Sequence, residues 1–199
     1  MSPVIVGLDA AGTPDAWRAA GFTVVDGAVW IGSVRVQCDI GERGIGAWVL
    51  ADGPEVDEVD GLATRAGTAE VAPELTHPNG ATLIDHLVVW TPDSNRTTAA
   101  LSGIGMEVKR VREDARPGVR QTFFRAGEVI VELVAPLEPE GGPARFFGLA
   151  VNVEDLDACA VLLGDALGPV KEAVQPGRRI ATLRHRDIGL PVAVAYMSV

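Results

Sequence analysis

Hydrophobic and polar positions change rhythm several times along this chain, and the clearest rhythm lies in its second half. Residues 83–90 (LIDHLVVW) are apolar and β-branched and stop at Thr91-Pro92, which predicts a strand followed by a turn. A helical pattern follows over about 94–102, closed by Gly103 and Gly105. Residues 106–111, 121–125 and 129–134 then predict three strands. A loop rich in charge, proline and glycine separates the first two, and an Ala126-Gly127 turn separates the last two.

The same order returns further on. Residues 146–153 (FFGLAVNV) predict a strand, and Glu154-Asp155 opens a helix running to about residue 163. Gly168-Pro169-Val170 parallels Gly105-Met106, residues 180–184 (IATLR) parallel 121–125 (QTFFR), and residues 191–197 (PVAVAYM) close the unit. The offset is 62 residues at the first strand (148 − 86) and again at the last turn (189 − 127). A period held over a whole strand–helix–three-strand unit means tandem modules.

The first third reads as a degenerate copy. Residues 4–8 predict a strand, and Thr13-Pro14-Asp15 caps a short helix with proline in its first turn. Short strands are expected at 22–25, 28–31 and 34–38, parted by Asp26-Gly27 and Gly32-Ser33, with another at 46–51. Residues 52–80 are acidic and rich in Gly, Pro and Thr. They read as a linker with at most one short helix near 59–66. The expected organisation is therefore 1–51, a degenerate βαβββ-like module, 52–80, a linker, and 81–199, two paired βαβββ modules at about 81–138 and 144–199.

That order resembles the glyoxalase/bleomycin-resistance/dioxygenase (vicinal oxygen chelate) superfamily. Asp85-His86-Leu87-Val88-Val89 looks like its opening strand, and Gly127-Glu128-Val129-Ile130-Val131-Glu132-Leu133 looks like its closing strand. The resemblance covers about 81–199 and implies an α+β fold of tandem βαβββ modules whose curved mixed sheet encloses a cavity. It also implies a divalent metal (zinc, manganese, iron or nickel) held by one residue from each opening and each closing strand. His86 and Glu132 take those positions in the first module. In the second they fall on Gly148 and on Val194 or Ala195, which carry no donor.

Strand alternation supports a special role for both residues. It sides His86 with Ile84, Val88 and Trp90, and Glu132 with Ile130 and Val134, so each is a lone ionisable group on an apolar face. A carboxylate there is costly unless paired or coordinated. Pairing of His86 with Glu132 and shared metal ligation both remain open, and Glu132 is also the candidate general base. Trp90, Gln121, Arg125, Arg178 and Arg179 are the candidate ligand contacts, the arginines as a clamp for carboxylate or phosphate. Gln121, Gln37, His77 and His185 are the remaining candidates for a third metal ligand.

Composition narrows the field. With 27 acidic against 17 basic residues the net charge is −10, which repels nucleic acid and anionic lipid alike. No apolar run approaches the ~18 residues of a membrane span, and the opening residues do not read as a signal peptide. Two distant cysteines, Cys38 and Cys159, suit a reducing compartment, so a cytoplasmic setting is expected. The functional expectation is a small-molecule protein of this superfamily, either a metal-dependent lyase, isomerase or dioxygenase, or a metal-free binding or drug-sequestering protein. Homodimerisation stays open.

Overall fold

The computed structural model describes residues 2–113 and 118–199, so residues 114–117 of the expected charged loop lie outside it. Six strands make an N-terminal sheet: β1 (Val4–Ala10), β2 (Ala28–Ile31), β3 (Val34–Gln37), β4 (Ile45–Ala51), β5 (Glu58–Val59) and β6 (Leu62–Ala66). Helix α1 (Pro14–Ala19) follows β1, and Thr13 caps it by accepting from the Ala16 amide at 3.3 Å. Eight more strands make the C-terminal sheet. The first module supplies β7 (Ala81–Trp90), β8 (Val108–Arg112), β9 (Val119–Ala126) and β10 (Val129–Pro136), with helix α2 (Ser94–Gly103) after β7. The second supplies β11 (Arg145–Val153), β12 (Lys171–Glu172), β13 (Arg179–Thr182) and β14 (Ala193–Ser198), with helix α3 (Leu156–Leu163) after β11. Both helices start where an aspartate, Asp93 or Asp155, caps the first turn.

The C-terminal sheet runs β12-β13-β14-β11-β7-β10-β9-β8. Opening and closing strands pair in parallel within each module, β7 with β10 and β11 with β14, while β7 and β11 join the modules antiparallel. This is the expected α+β architecture of tandem βαβββ modules in one mixed sheet.

The N-terminal sheet, ordered β2-β3-β1-β4-β6-β5, retraces the same plan. Strand β1 pairs parallel with β3 and antiparallel with β4, and β4 pairs parallel with β6. Residues 4–66 thus share the central pairing pattern of the C-terminal sheet, two parallel pairs joined by an antiparallel one, with fewer strands. The stretch 52–80, read from sequence as a linker, carries β5 and β6. No helix forms near 59–66, because Leu62 and Thr64 are buried and Ala63 and Arg65 exposed, a period of two. Thr64 also accepts from the Trp48 indole at 2.7 Å. The strand expected at 22–25 shrinks to a single bridge from Val25 to Ala28. Phe22 is drawn instead into the core beside Trp17 and Tyr196, and the Thr23 amide donates to His77 Nδ1 at 3.0 Å.

One hydrophobic cluster runs through both sheets. Trp48 of β4 meets Phe146 of β11 edge to face, with ring centroids 5.4 Å apart. Tyr196 of β14 donates to the Ala20 carbonyl at 2.6 Å, and the Asn79 amide donates to the same oxygen at 2.9 Å. Each large apolar side chain buried here contributes roughly 1.5–3 kcal/mol. Packing one face of the C-terminal sheet in this way leaves its other face free to form a trough. Both cysteines are buried, and burial pushes the Cys159 thiol up to about 12 and Cys38 to about 11, which suits inert packing residues.

Candidate functional site in the trough of the C-terminal sheet

The free face of β7, β10, β11, β13 and β14 lines a trough of about 200 Å³. Its walls include Val88, Val134, Leu149, Ala150, Ile180 and Val194, and its ionisable groups are His86 and Glu132. The two meet there: His86 Nε2 lies 3.2 Å from Glu132 Oε2. Gln121 of β9 donates through Nε2 to Glu132 Oε1, an orientation the carboxylate imposes because the amide oxygen would be repelled. That choice leaves Gln121 Oε1 buried without a hydrogen-bond partner.

A bulge builds the other half of the site. Along β7, His86 faces Ala150 but Ile84 faces Val151, so one extra residue, Asp85, is inserted into the ladder. Strict alternation would set Asp85 against the far face and Ile84 beside His86. The bulge reverses this. Ile84 joins Leu87 and Val89 in the core, and the Asp85 carboxylate reaches His86 Nδ1 at 2.8 Å. The expectation that Ile84 shares the face of His86 is corrected accordingly.

Arg178 anchors Asp85. Its Nη1 donates to Asp85 Oδ1 at 2.7 Å and to Gln175 at 2.6 Å, its Nε donates to the Ser198 carbonyl at 2.8 Å, and its Nη2 donates to Asn152. Burial pushes the Asp85 carboxyl up, but the hydrogen bonds and charges of His86 and Arg178 outweigh it and hold the group at about 2. Asp85 is therefore an anion at neutral pH. The result is a continuous line, Glu132–His86–Asp85–Arg178, with the imidazole clamped between two carboxyl groups.

The other sequence candidates scatter. Trp90 sits at one end of the sheet face, with the Arg145 guanidinium 4.4 Å above its ring. Arg125 is exposed on β9, opposite Ile130. Arg178 binds Asp85, whereas Arg179 turns to α3 and pairs with both Asp157 oxygens at 2.9 and 3.0 Å. His77 accepts from Thr23 and bonds the Trp30 carbonyl at 2.7 Å, and His185 bonds the Leu190 carbonyl at 2.7 Å. Gln37 donates to the Gly27 carbonyl within the N-terminal sheet. Asp85 and Asn152 are the site residues that sequence reasoning passes over. The one available signal is the adjacency of Asp85 to His86.

In the second module, strand register puts Ala195, not Val194, opposite Ala150, the place that Glu132 takes opposite Val88 in the first. Gly148 occupies the His86-equivalent position, and a Cβ built there would stand 2.4 Å from the Ala193 carbonyl oxygen. The close approach of β11 and β14 therefore excludes a side chain where a second ligand would sit.

A family model described as Glyoxalase/Bleomycin resistance protein/Dioxygenase superfamily matches residues 85–182. No curated protein matches the sequence. Among solved structures, methylmalonyl-CoA epimerase from Mycobacterium tuberculosis matches at 18% identity and a TM-score of 0.51, covering 63% of this chain and 93% of that one. The Streptomyces coelicolor methylmalonyl-CoA epimerase in complex with 2-nitronate-propionyl-CoA matches at 21% identity and a TM-score of 0.47, covering 59% and 97%. A hypothetical protein from Bacillus halodurans C-125 matches at 16% and 0.47, covering 58% and 93%. At 18% identity the likeness to the Mycobacterium tuberculosis protein shows the fold alone.

The divalent metal that such a fold implies can be tested against the donors present. Catalytic zinc takes three protein ligands. Here His86 Nε2 and Glu132 stand on one wall, 3.2 Å apart, and the facing wall of Gly148, Ala150, Thr182, Ala193 and Ala195 offers no imidazole, thiol or carboxyl ligand. Among the described residues no group of three or more His, Cys, Asp or Glu could hold a metal ion. The residues do not make up that family's metal site.

Proposed function

Because residues 85–182 belong to the glyoxalase/bleomycin resistance protein/dioxygenase superfamily, we propose that this chain binds a small organic molecule in the trough of its C-terminal sheet without a resident metal. The observation that carries this reading is the division of the trough. One wall presents Glu132 and His86, backed by Gln121, and the other is apolar but for Thr182 and, among the described residues, carries no His, Cys, Asp or Glu. Apolar enclosure with a few convergent polar groups is the usual build of a small-molecule site.

Glu132 is the group that meets the ligand's polar atom. Gln121 donates to one of its oxygens and His86 Nε2 lies 3.2 Å from the other, so it is pre-oriented towards a bound molecule. Asp85, fixed by Arg178, holds the imidazole in place from behind. This arrangement supports proton transfer at a ligand carbon or oxygen as the second reading, with Glu132 as base.

A thermal-shift screen of small carbonyl compounds and hydrophobic organic acids, run in EDTA, tests the proposal. Ligands are expected to raise the melting temperature of the wild type, since binding only the native state adds apparent stability. They should leave V88W unmoved, where an indole from the half-buried Val88 fills the trough. Hits that appear only after divalent metal is restored, or that persist in a folded V88W, would overturn it.

A further inference from the structure

The polar cluster of the trough is continued across the sheet by a cationic shelf. Strand register puts Arg110 of β8 opposite Phe123 of β9, and Phe123 opposite Glu132 of β10. In the neighbouring row Arg125 stands opposite Ile130, and Ile130 opposite His86. Residues directly opposite one another in a ladder share a face, so Arg110 and Arg125 stand on the same face as Glu132 and His86. Together with Lys109, Arg112, Phe123 and Ile130 they line a cavity of about 430 Å³ that, among the described residues, no acidic side chain lines.

This is an unusual surface for a chain of net charge −10. Lys109 is partly neutralised by Glu107 at 2.5 Å, and Arg112 has an interaction of its own. Arg110 and Arg125 are both exposed, and neither has an ion-pair partner among the described residues. Two exposed guanidiniums beside a half-buried phenylalanine and isoleucine offer a receptor for an anion and a floor for an apolar segment.

We infer that the ligand of this trough is an anionic amphiphile whose phosphate or carboxylate is bound by Arg110 and Arg125 while its apolar body crosses Phe123 and Ile130 towards Glu132. The geometry bounds its length. Arg125 on β9 and Arg110 on β8 stand one and two ladder spacings from β10, so the anion lies roughly 5–10 Å from the Glu132 strand, at ~4.8 Å per spacing. The inference rests on the trough being the ligand site, and it adds the chemical class of what enters.

Three probes of one chain length separate the contributions: octyl phosphate, octanoate and 1-octanol, titrated calorimetrically in EDTA at low salt. Both anions are expected to bind the wild type at least about tenfold tighter than the alcohol, through charge-assisted hydrogen bonds that added NaCl weakens. The double variant R110A/R125A should bring the anions to within about threefold of 1-octanol, since the charge contribution is removed. Tighter binding of octyl phosphate assigns the shelf to a phosphate, and tighter binding of octanoate to a carboxylate. Equal affinity of all three probes, binding of none, or a preference that survives R110A/R125A would overturn the inference. V88W keeps it distinct from the trough reading. If the anions still bind V88W but not R110A/R125A, the shelf stands and the trough reading fails. If V88W abolishes binding and R110A/R125A does not, the trough stands and the shelf fails.

Discussion

Replacing Asp85 by Asn removes one charge from the centre of the site while keeping its shape. Asp85 is nearly buried and bonded to His86 and Arg178, which together hold its carboxyl at about 2 against an ordinary 3.8. At ~1.36 kcal/mol per pH unit, that difference is worth roughly 2.4 kcal/mol of folding stability when the carboxyl is ionised. Because the folded value is the lower one, the contribution is complete above about pH 5 and fades as pH falls below 3.8, with about half gone by pH 3. Urea unfolding of the wild type and D85N at pH 6, 4 and 3 reads it directly. The stability gap should be largest at pH 6 and should close by about half at pH 3. In thermal melts near neutrality the gap corresponds to roughly 5–10 °C, at ~2–4 °C per kcal/mol for a chain of this size. A gap that stays constant from pH 6 to pH 3 would show that Asp85 is not held as an anion by His86 and Arg178, and the line from Arg178 to Glu132 would lose its anchor.

Two further substitutions probe the scaffold. Burial lowers the pKa of His77, so protonation is disfavoured in the fold and stability should decline as pH falls through about 6.5 towards the folded value. H77F should abolish that decline between pH 7 and 5 while costing roughly 1–3 kcal/mol for each group it strands, the Thr23 amide and the Trp30 carbonyl. G148A forces a Cβ to within 2.4 Å of the Ala193 carbonyl and should destabilise by roughly 1–3 kcal/mol through overpacking, read as a lower urea midpoint. An unchanged midpoint in G148A would mean that β11 and β14 can part, and that sterics do not keep the second module free of a ligand.

The repeat of strand, helix and three strands was legible because residues 81–199 keep their periodicity and their 62-residue offset. All eight C-terminal strands except the two-residue β12 follow from it, as do α2 and α3. The N-terminal half was only half legible. A reader of sequence meets β4 and then an acidic, glycine-rich stretch, and nothing local says that two- and five-residue strands there complete a second sheet. What assembles β5 and β6 is tertiary, through Trp48 and Thr64 and the parallel ladder to β4.

In the site, His86 and Glu132 stood out as ionisable residues on apolar faces, and they meet. Asp85 did not, because a bulge changes which face a residue takes without leaving a mark on hydrophobic alternation. Arg178 and Arg179 were equivalent in sequence. Alternation along β13 and its approach sends one to Asp85 and the other to Asp157 on α3. The pairing of Arg110 with Phe123 and Glu132 depends on cross-strand register, including a shift between Val108 and Arg110, which no single strand reveals.

The central claim, a metal-free organic ligand held in the trough against Glu132, is tested most directly by amide chemical shifts of the uniformly labelled protein. Octanoate or a screening hit is titrated in EDTA. The account predicts perturbations at Val88, Glu132, Ala150 and Ala195, which line the trough, with the N-terminal sheet unmoved. Perturbations confined to the N-terminal sheet, or shifts at those four residues that arise only when zinc or manganese is added, would contradict it.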